Sequence, residues 1–447
     1  MFVFVLGVRD NFKTIWQAVL AFASVETCRD TAPMIMTGKS LPSNSIDHQI
    51  KQAMKMKNYL IVAAGMAALW AMVQSGFAQG ALTPPGTPAP TMKSLDQIEA
   101  RTIVNAANTP GDADNTFIIS TPGSYYLKGN LAGDTAKHGI SIQTNDVTLD
   151  LNGFALISGG GGNRRGVNVP VAQTGLCVRN GSVRGWTDGG VRGDTANLLA
   201  ENLRLVNNFG ARGLAVGNGS MIKNCVAAGN GIGFYANDRT EVIGCISTEN
   251  QGDGFVCTGF VTIVDCTSGR NGGIGIFAGT SSSILRCNAS RNDASGIYAG
   301  TGCTVGDCTA GNNLLNGINV DTGSAVRNCT ARANTGVGIL ATASCHLTGN
   351  MCDFNHIGLQ VTGNDNRVDG NTCTIDPAQN GVSGYLGFYI QGAHNWVVRN
   401  TARGSFANTL INAGFAFDDS SINVFGPMQG TSGGEISTTS PWANFRN

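Results

Sequence analysis

The chain has 447 residues, 29 basic against 29 acidic side chains, and 62 glycines, about twice the ordinary share of ~7%. Only 13% of residues are charged, which argues against a nucleic-acid partner held by bulk charge, and the absence of a three-residue glycine period excludes a collagen-like chain. Its 13 cysteines contain no C-x-x-C, so no metal and no cofactor are expected.

Residues 1–53 show no periodicity and are set aside, read either as a mis-assigned upstream start or as a cytoplasmic leader. Residues 54–78 have the form of a signal peptide: Lys55 and Lys57, an apolar run from Tyr59 to Val73, and the small-x-small site Gly76-Phe77-Ala78. The apolar run is shorter than the ~20 residues of a membrane span, although a membrane anchor is the competing reading. Export to the periplasm, the cell surface or the medium is therefore expected, with no membrane span in the mature chain. Residues 79–93 are a Pro-rich spacer. Ser94 and Gln97 fit a capping box with Leu95 and Ile98 on one face, which predicts a short N-terminal capping helix over 94–104.

The remainder, to residue 430, repeats. Strand-like runs flank Pro122-Gly123 within 116–131. A Gly–apolar pair recurs from Gly139-Ile140 onward, and between Gly213 and Leu359 it settles to a period of about 21 residues. Cys225, Cys245, Cys266, Cys287, Cys308 and Cys329 form a second column. Asn152, Asn180 and Asn202 are read as its upstream members, with Asn350, Asn371 and Asn400 downstream. Five residues on, Asn230, Asn250, Asn271, Asn292, Asn313, Asn334 and Asn355 form a third. Alternation after each glycine points Phe234, Phe255 and Ile276 inward and their successors outward. The pattern predicts an all-β solenoid of about twelve rungs, three short strands each, over 94–430, with 431–447 as a C-terminal tail. Stacking at ~4.8 Å per rung makes each column a ladder.

The repeat I-x-x-N/C-x-x-x-x-N-x-x-G-I resembles that of single-stranded right-handed parallel β-helices of the pectin-lyase-like superfamily. The segments PGSYYLKGNL (122–131), VTLDLNGFALISG (147–159), VRNGSVRGW (178–186) and Pro441-Trp442-Ala443-Asn444-Phe445 resemble an exported, mostly uncharacterised bacterial group within it. The resemblance implies a carbohydrate groove over the outer face of the first strands. It brings no catalytic motif: paired aspartates with His-Gly and Arg-x-Lys are absent, and Lys223 is the one lysine beyond residue 140.

The outward first-strand column reads Asn168, Arg192, Ala215, Tyr235, Val256, Phe277, Tyr298, Asn319, Leu340 and Gln360. Tyr235, Phe277 and Tyr298, with Arg192, are the candidate substrate-binding residues, as an aromatic strip suited to sugar rings. Candidate catalytic residues are Arg165, Arg192 and Arg212, which can hold uronate carboxylates, with Asp194 and Asp253 as nearest carboxylates. Those two aspartates fall about three rungs apart, roughly 14 Å, beyond the ~9.5 Å limit of a hydrolytic pair. Asp265, Arg286 and Asp307 read as a charge ladder on the second strand, without function. The ladder cysteines read as small buried residues in place of asparagine, with inter-rung disulfides as the competing reading. Two functions stand: an exported protein that binds a polysaccharide, and as an enzyme would be a lyase or glycoside hydrolase, or a structural, adhesin-like solenoid.

Overall fold

The structure, a computed structural model, describes residues 100–446 apart from 195, 376–385, 404–414, 418–421 and 431–437. The segments read as leader, signal peptide and Pro-rich spacer lie outside the described residues, as does most of the segment expected to form a capping helix. Of the cap segment, Thr102–Ile103 is described, and it is a strand paired with Tyr125 and Tyr126.

All regular elements among the described residues are strands, and nearly every one pairs in parallel with its counterpart one turn away. The first strand of each turn contributes to a 14-stranded sheet, and the second and third strands form a 28-stranded sheet. The first sheet begins at Asn115–Ile119 and ends at Phe415–Phe417, so the coil has more turns than the twelve read from the glycine column. The C-terminal tail joins it as well, since Asn444–Arg446 pairs with Thr401–Arg403 and with Met428–Gly430.

Register carries the predicted alternation. Phe234, Phe255, Ile276, Ile297, Ile318 and Ile339 lie over one another and are wholly buried. Phe234 and Phe255 stack at 4.9 Å inside the coil. Each such side chain contributes about 1.5–3 kcal/mol on burial.

A single rule generates the three corners of the coil. Each corner has one residue in the left-handed region with its side chain outward, followed by one whose side chain turns in and joins a ladder. At the second corner Asn224, Asp265, Arg286, Asp307, Asn328 and Arg399 have φ of 52–59°, and the next residues are Cys225, Cys266, Cys287, Cys308, Cys329 and Asn400. Asp265, Arg286 and Asp307 therefore sit at the turn and not on the second strand. The bidentate Arg286–Asp265 pair is half exposed and contributes little. Three residues leave the cysteine column: Asn152 has φ of 52° and an exposed side chain, and register moves two more. Glu201 faces both Arg179 and Lys223, so Asn180 and Asn202 lie under the turn residue Asn224, with φ of 58° and 54°.

The third corner carries the asparagine ladder, which reaches upstream to Asn208. Each Nδ2 donates to the Oδ1 of the next rung at 2.9–3.1 Å, from Asn208 through Asn355. A further ladder at the first corner escaped the sequence reading; Ser282, Cys303, Ser324, Cys345, Asn366 and Asn395 belong to it.

Cysteine replaces asparagine in these columns because it completes the same circuit. Asn350 accepts the Cys329 N–H at 2.9 Å and donates to the Val326 carbonyl at 2.9 Å. Two turns earlier the Cys308 sulfur accepts the Cys287 N–H at 3.4 Å and donates to the Ile284 carbonyl at 3.5 Å. The twelve described cysteines are all free thiols. Contact with the Cys245 thiol and burial push Cys266 up to about 12. Leaving a buried corner group unmade costs about 1–3 kcal/mol, so the ladders fix register more than they add net stability.

The glycine column follows from the asparagine ladder. A Cβ on Gly275 would come 2.5 Å from the Gly296 carbonyl oxygen and 2.6 Å from Asn292 Nδ2. Close approach, not positive φ, is what demands glycine there.

Candidate binding faces

The predicted outward column exists as read. Register places Asn168, Arg192, Ala215, Tyr235, Val256, Phe277, Tyr298, Asn319, Leu340 and Gln360 in one line. Asn168 and Ala215 are buried, and Tyr235 through Gln360 are half-buried. Phe277 and Tyr298 lie parallel, centroids 5.3 Å apart and planes 5° apart, so each covers part of the other's face. The Tyr298 hydroxyl donates to Asp321 Oδ2 at 2.8 Å, which raises the phenol above its ordinary range. Arg212 covers Tyr235, its guanidinium carbon 3.5 Å from the ring centre. The strip thus presents ring edges and one anchored hydroxyl more than open ring faces.

The arginines are brought together, but with carboxylates already between them. Arg165 Nε donates to Asp188 Oδ2 at 2.7 Å and its Nη1 to Asn168 Oδ1 at 2.9 Å. Arg192 Nη1 donates to Asp188 Oδ1 at 3.2 Å, and its Nε and Nη2 to Asp194 Oδ2 at 2.9 and 2.7 Å. Arg212 Nη1 donates to Asp194 Oδ1. The chain Arg165–Asp188–Arg192–Asp194–Arg212–Tyr235 climbs the face, with three guanidiniums sharing two carboxylates. Asp253 is occupied elsewhere, its Oδ1 accepting the Ile274 N–H at 2.6 Å.

Asp188 is the residue the sequence reading missed. It lies in an irregular rung, where no repeat assigns it a column; the one available signal was its place just before Gly189-Gly190. Its presence changes the carboxylate geometry. Asp188 and Asp194 are separated by one guanidinium, inside the ~9.5 Å limit of a hydrolytic pair. Arg192 donates to both.

His138 adjoins this network, its Nδ1 accepting the Arg165 N–H at 3.0 Å. Burial, reinforced by Arg164 and Arg165, lowers its pKa below 6.5. With Nδ1 an acceptor, the neutral ring carries its proton on Nε2.

Near the C-terminal end, Asp369 takes hydrogen bonds from Arg399 and Arg367, which hold its carboxyl below the ordinary range. Trp396 and Trp442 stand over these arginines at 5.6 and 5.3 Å. In the same strand column near the other end, Asp150 likewise lies between two arginines, Arg179 and Arg101, with Arg101 over Tyr126. Among the described residues no group of His, Cys, Asp and Glu is placed to hold a metal ion. None of their helices is long and apolar enough to cross a membrane.

Residues 212–354 match a family model described as right handed beta helix region. No curated protein sequence matches the chain. Among solved structures, the Azotobacter vinelandii mannuronan C-5 epimerase AlgE6 A-module is similar at 13% identity and a TM-score of 0.38, over 69% of this chain and 92% of that one. The periplasmic alginate epimerase AlgG is similar at 12% identity and 0.31, over 77% and 82%. Pectate lyase Pel9A is similar at 14% identity and 0.32, over 65% and 71%. Similarity of this size carries no inference about activity.

Proposed function

We propose that this chain, a right-handed parallel β-helix of pectin-lyase-like fold, is an exported protein that binds a polysaccharide along the outward column of its first-strand sheet. The observation that supports this reading is the parallel Phe277–Tyr298 pair on an outward, half-exposed line that continues through Val256 to Tyr235. Aromatic edges with an anchored phenol suit the alternating apolar and hydroxyl surfaces of a sugar chain. Arg165, Arg192, Arg212 and Asp194 hold the N-terminal end of that face in this reading.

The carboxylates support binding without cleavage. A hydrolase needs one carboxyl as acid and one as base or nucleophile, whereas Asp188 and Asp194 are both engaged by Arg192. A structural, adhesin-like role is the second reading, favoured by the same neutralised network.

The test is a panel of neutral and acidic polysaccharides entrapped in native gels, with product assays on the same mixtures. Retardation of the wild type by neutral polysaccharide, lost in Phe277→Ala/Tyr298→Ala, is expected. Each ring removed should weaken binding by about 0.5–1.5 kcal/mol. Unsaturated product absorbing in the ultraviolet would instead make the protein a lyase, and new reducing ends a hydrolase. No retardation on any glycan would leave the structural role.

A further inference from the structure

We propose that a second face, formed by the third strands, holds the oxyanions of an acidic polysaccharide. A recess of about 460 Å³ opens there, over the strands Leu176–Arg184 and Leu198–Val206. Asn180, Ser182, Arg184, Asn202 and Arg204 line it, with Gly153 at its edge. Register sets Arg204 beside Ser182 and Val206 beside Arg184, so two guanidiniums project from adjacent rungs, two positions apart along the strand.

Both arginines are exposed, and among the described residues neither forms an ion pair; no carboxylate lines the recess. That sets them apart from the arginines of the first-strand face, which all donate to Asp188 or Asp194. The recess has its own fixed polar rim. Asn202 Nδ2 donates to Asn180 Oδ1 at 3.2 Å, and Asn180 Nδ2 donates to both Asp150 oxygens at 3.2 and 3.3 Å. No heavy atom lies within 4 Å of a Cβ built on Gly153, so the edge is open.

The same face continues with the same chemistry. A second recess of about 370 Å³ lies further along it, lined by Thr248, Thr267, Asn288 and Ser290 and bordered by Arg270 and Arg291. Those two arginines occupy the third-corner turn at φ of 55° and 58°, which aims them outward beside the strands. Arg270 meets Glu249 at 3.5 Å, both mostly exposed, a contact of little weight. The face is thus a line of small hydroxyl and amide groups edged by guanidiniums. Guanidinium forks match carboxylates and sulfate esters bidentately, and short hydroxyls and amides match sugar hydroxyls. The occupant that fits is a glycan bearing uronate or sulfate groups. This site stands apart from the aromatic strip and does not need it.

The test uses the exported chain against polygalacturonate (uronate), dextran sulfate (sulfate ester) and neutral dextran. Arg184→Ala/Arg204→Ala should bind the acidic polymer about tenfold or more weaker per guanidinium, the size of a hydrogen bond to a charged group. Its melting temperature should not change, because both side chains are exposed. Lysine at both positions should restore part of the affinity, and added salt should weaken the wild type. Phe277→Ala/Tyr298→Ala should leave this binding intact, which separates the site from the strip. Binding to only one acidic polymer would support the proposal and name the oxyanion. Undiminished binding by the alanine variant, no acidic binding by the wild type, or equal binding of duplex DNA would each overturn it.

Discussion

The regular coil from residue 213 to 359 and the rungs from 138 to 212 are built on one three-strand plan, yet they spend their polar groups differently. In the regular coil, corner side chains close hydrogen-bond circuits with the next rung, and the outward positions of the first sheet are neutral. In the earlier rungs the cysteine column gives way, since Arg204 faces Val226 and so Leu203, not an asparagine, lies under Cys225. There the outward positions carry the Arg165–Asp188–Arg192–Asp194–Arg212 network, and on another face Arg184 and Arg204, which form no ion pair among the described residues. Repetition supplies register; the charged network of the first-strand face collects where repetition fails.

The largest effect should come from cutting a circuit inside the regular coil. Asn271 bonds Asn250, Ser268 and Asn292 and is wholly buried. Asn271→Ala should lower stability by about 3 kcal/mol in denaturant unfolding, because several buried partners lose a bond at once. A change under ~1 kcal/mol would break the distinction drawn between the two regions. Next comes the ion network. Arg192→Ala strips a partner from both Asp188 and Asp194, but their side chains stay 20% and 29% exposed, which limits the loss to about 1–2 kcal/mol.

Smaller still is the exchange of one ladder residue for the other. Cys266→Asn should cost less than ~1 kcal/mol, since asparagine closes the same corner circuit at Asn350, whereas Cys266→Ala should cost about 1–2 kcal/mol. All twelve cysteines between residues 100 and 447 should titrate as thiols in the unreduced, unfolded chain. Bridged pairs would contradict the thiol ladder. The smallest effect is on pH dependence. Because the folded chain holds His138 below 6.5, the unfolded chain takes up more protons as pH falls through that value. Stability is fully present above 6.5 and declines toward the folded pKa. His138→Gln should flatten that decline, as read from melting temperature against pH, and an unchanged slope would exclude His138 as its source.

The comparison also explains what could be read from the sequence. Within the regular coil a fixed period assigns every residue a column, so the inward Phe234 and Phe255, the outward Phe277 and Tyr298 and the asparagine ladder were all legible. Where spacing varies, columns shift by one: Asn180 and Asn202 belong to the turn, and Asp188 had no column at all. Ion pairing was illegible for a different reason. The sequence brings Arg165, Arg192 and Arg212 to one face, but only side-chain geometry shows that Asp188 and Asp194 already occupy them. The serine and cysteine ladder at the first corner was hidden because its members differ in type while performing one hydrogen-bonding task.

The most direct measurement is retardation of wild type, Phe277→Ala/Tyr298→Ala and Arg184→Ala/Arg204→Ala in native gels containing neutral or acidic polysaccharide. The wild type should be held, loss of the two rings should release it from neutral polymers alone, and loss of the two arginines should release it from acidic polymers alone. Equal migration of all three proteins with and without every glycan would contradict it.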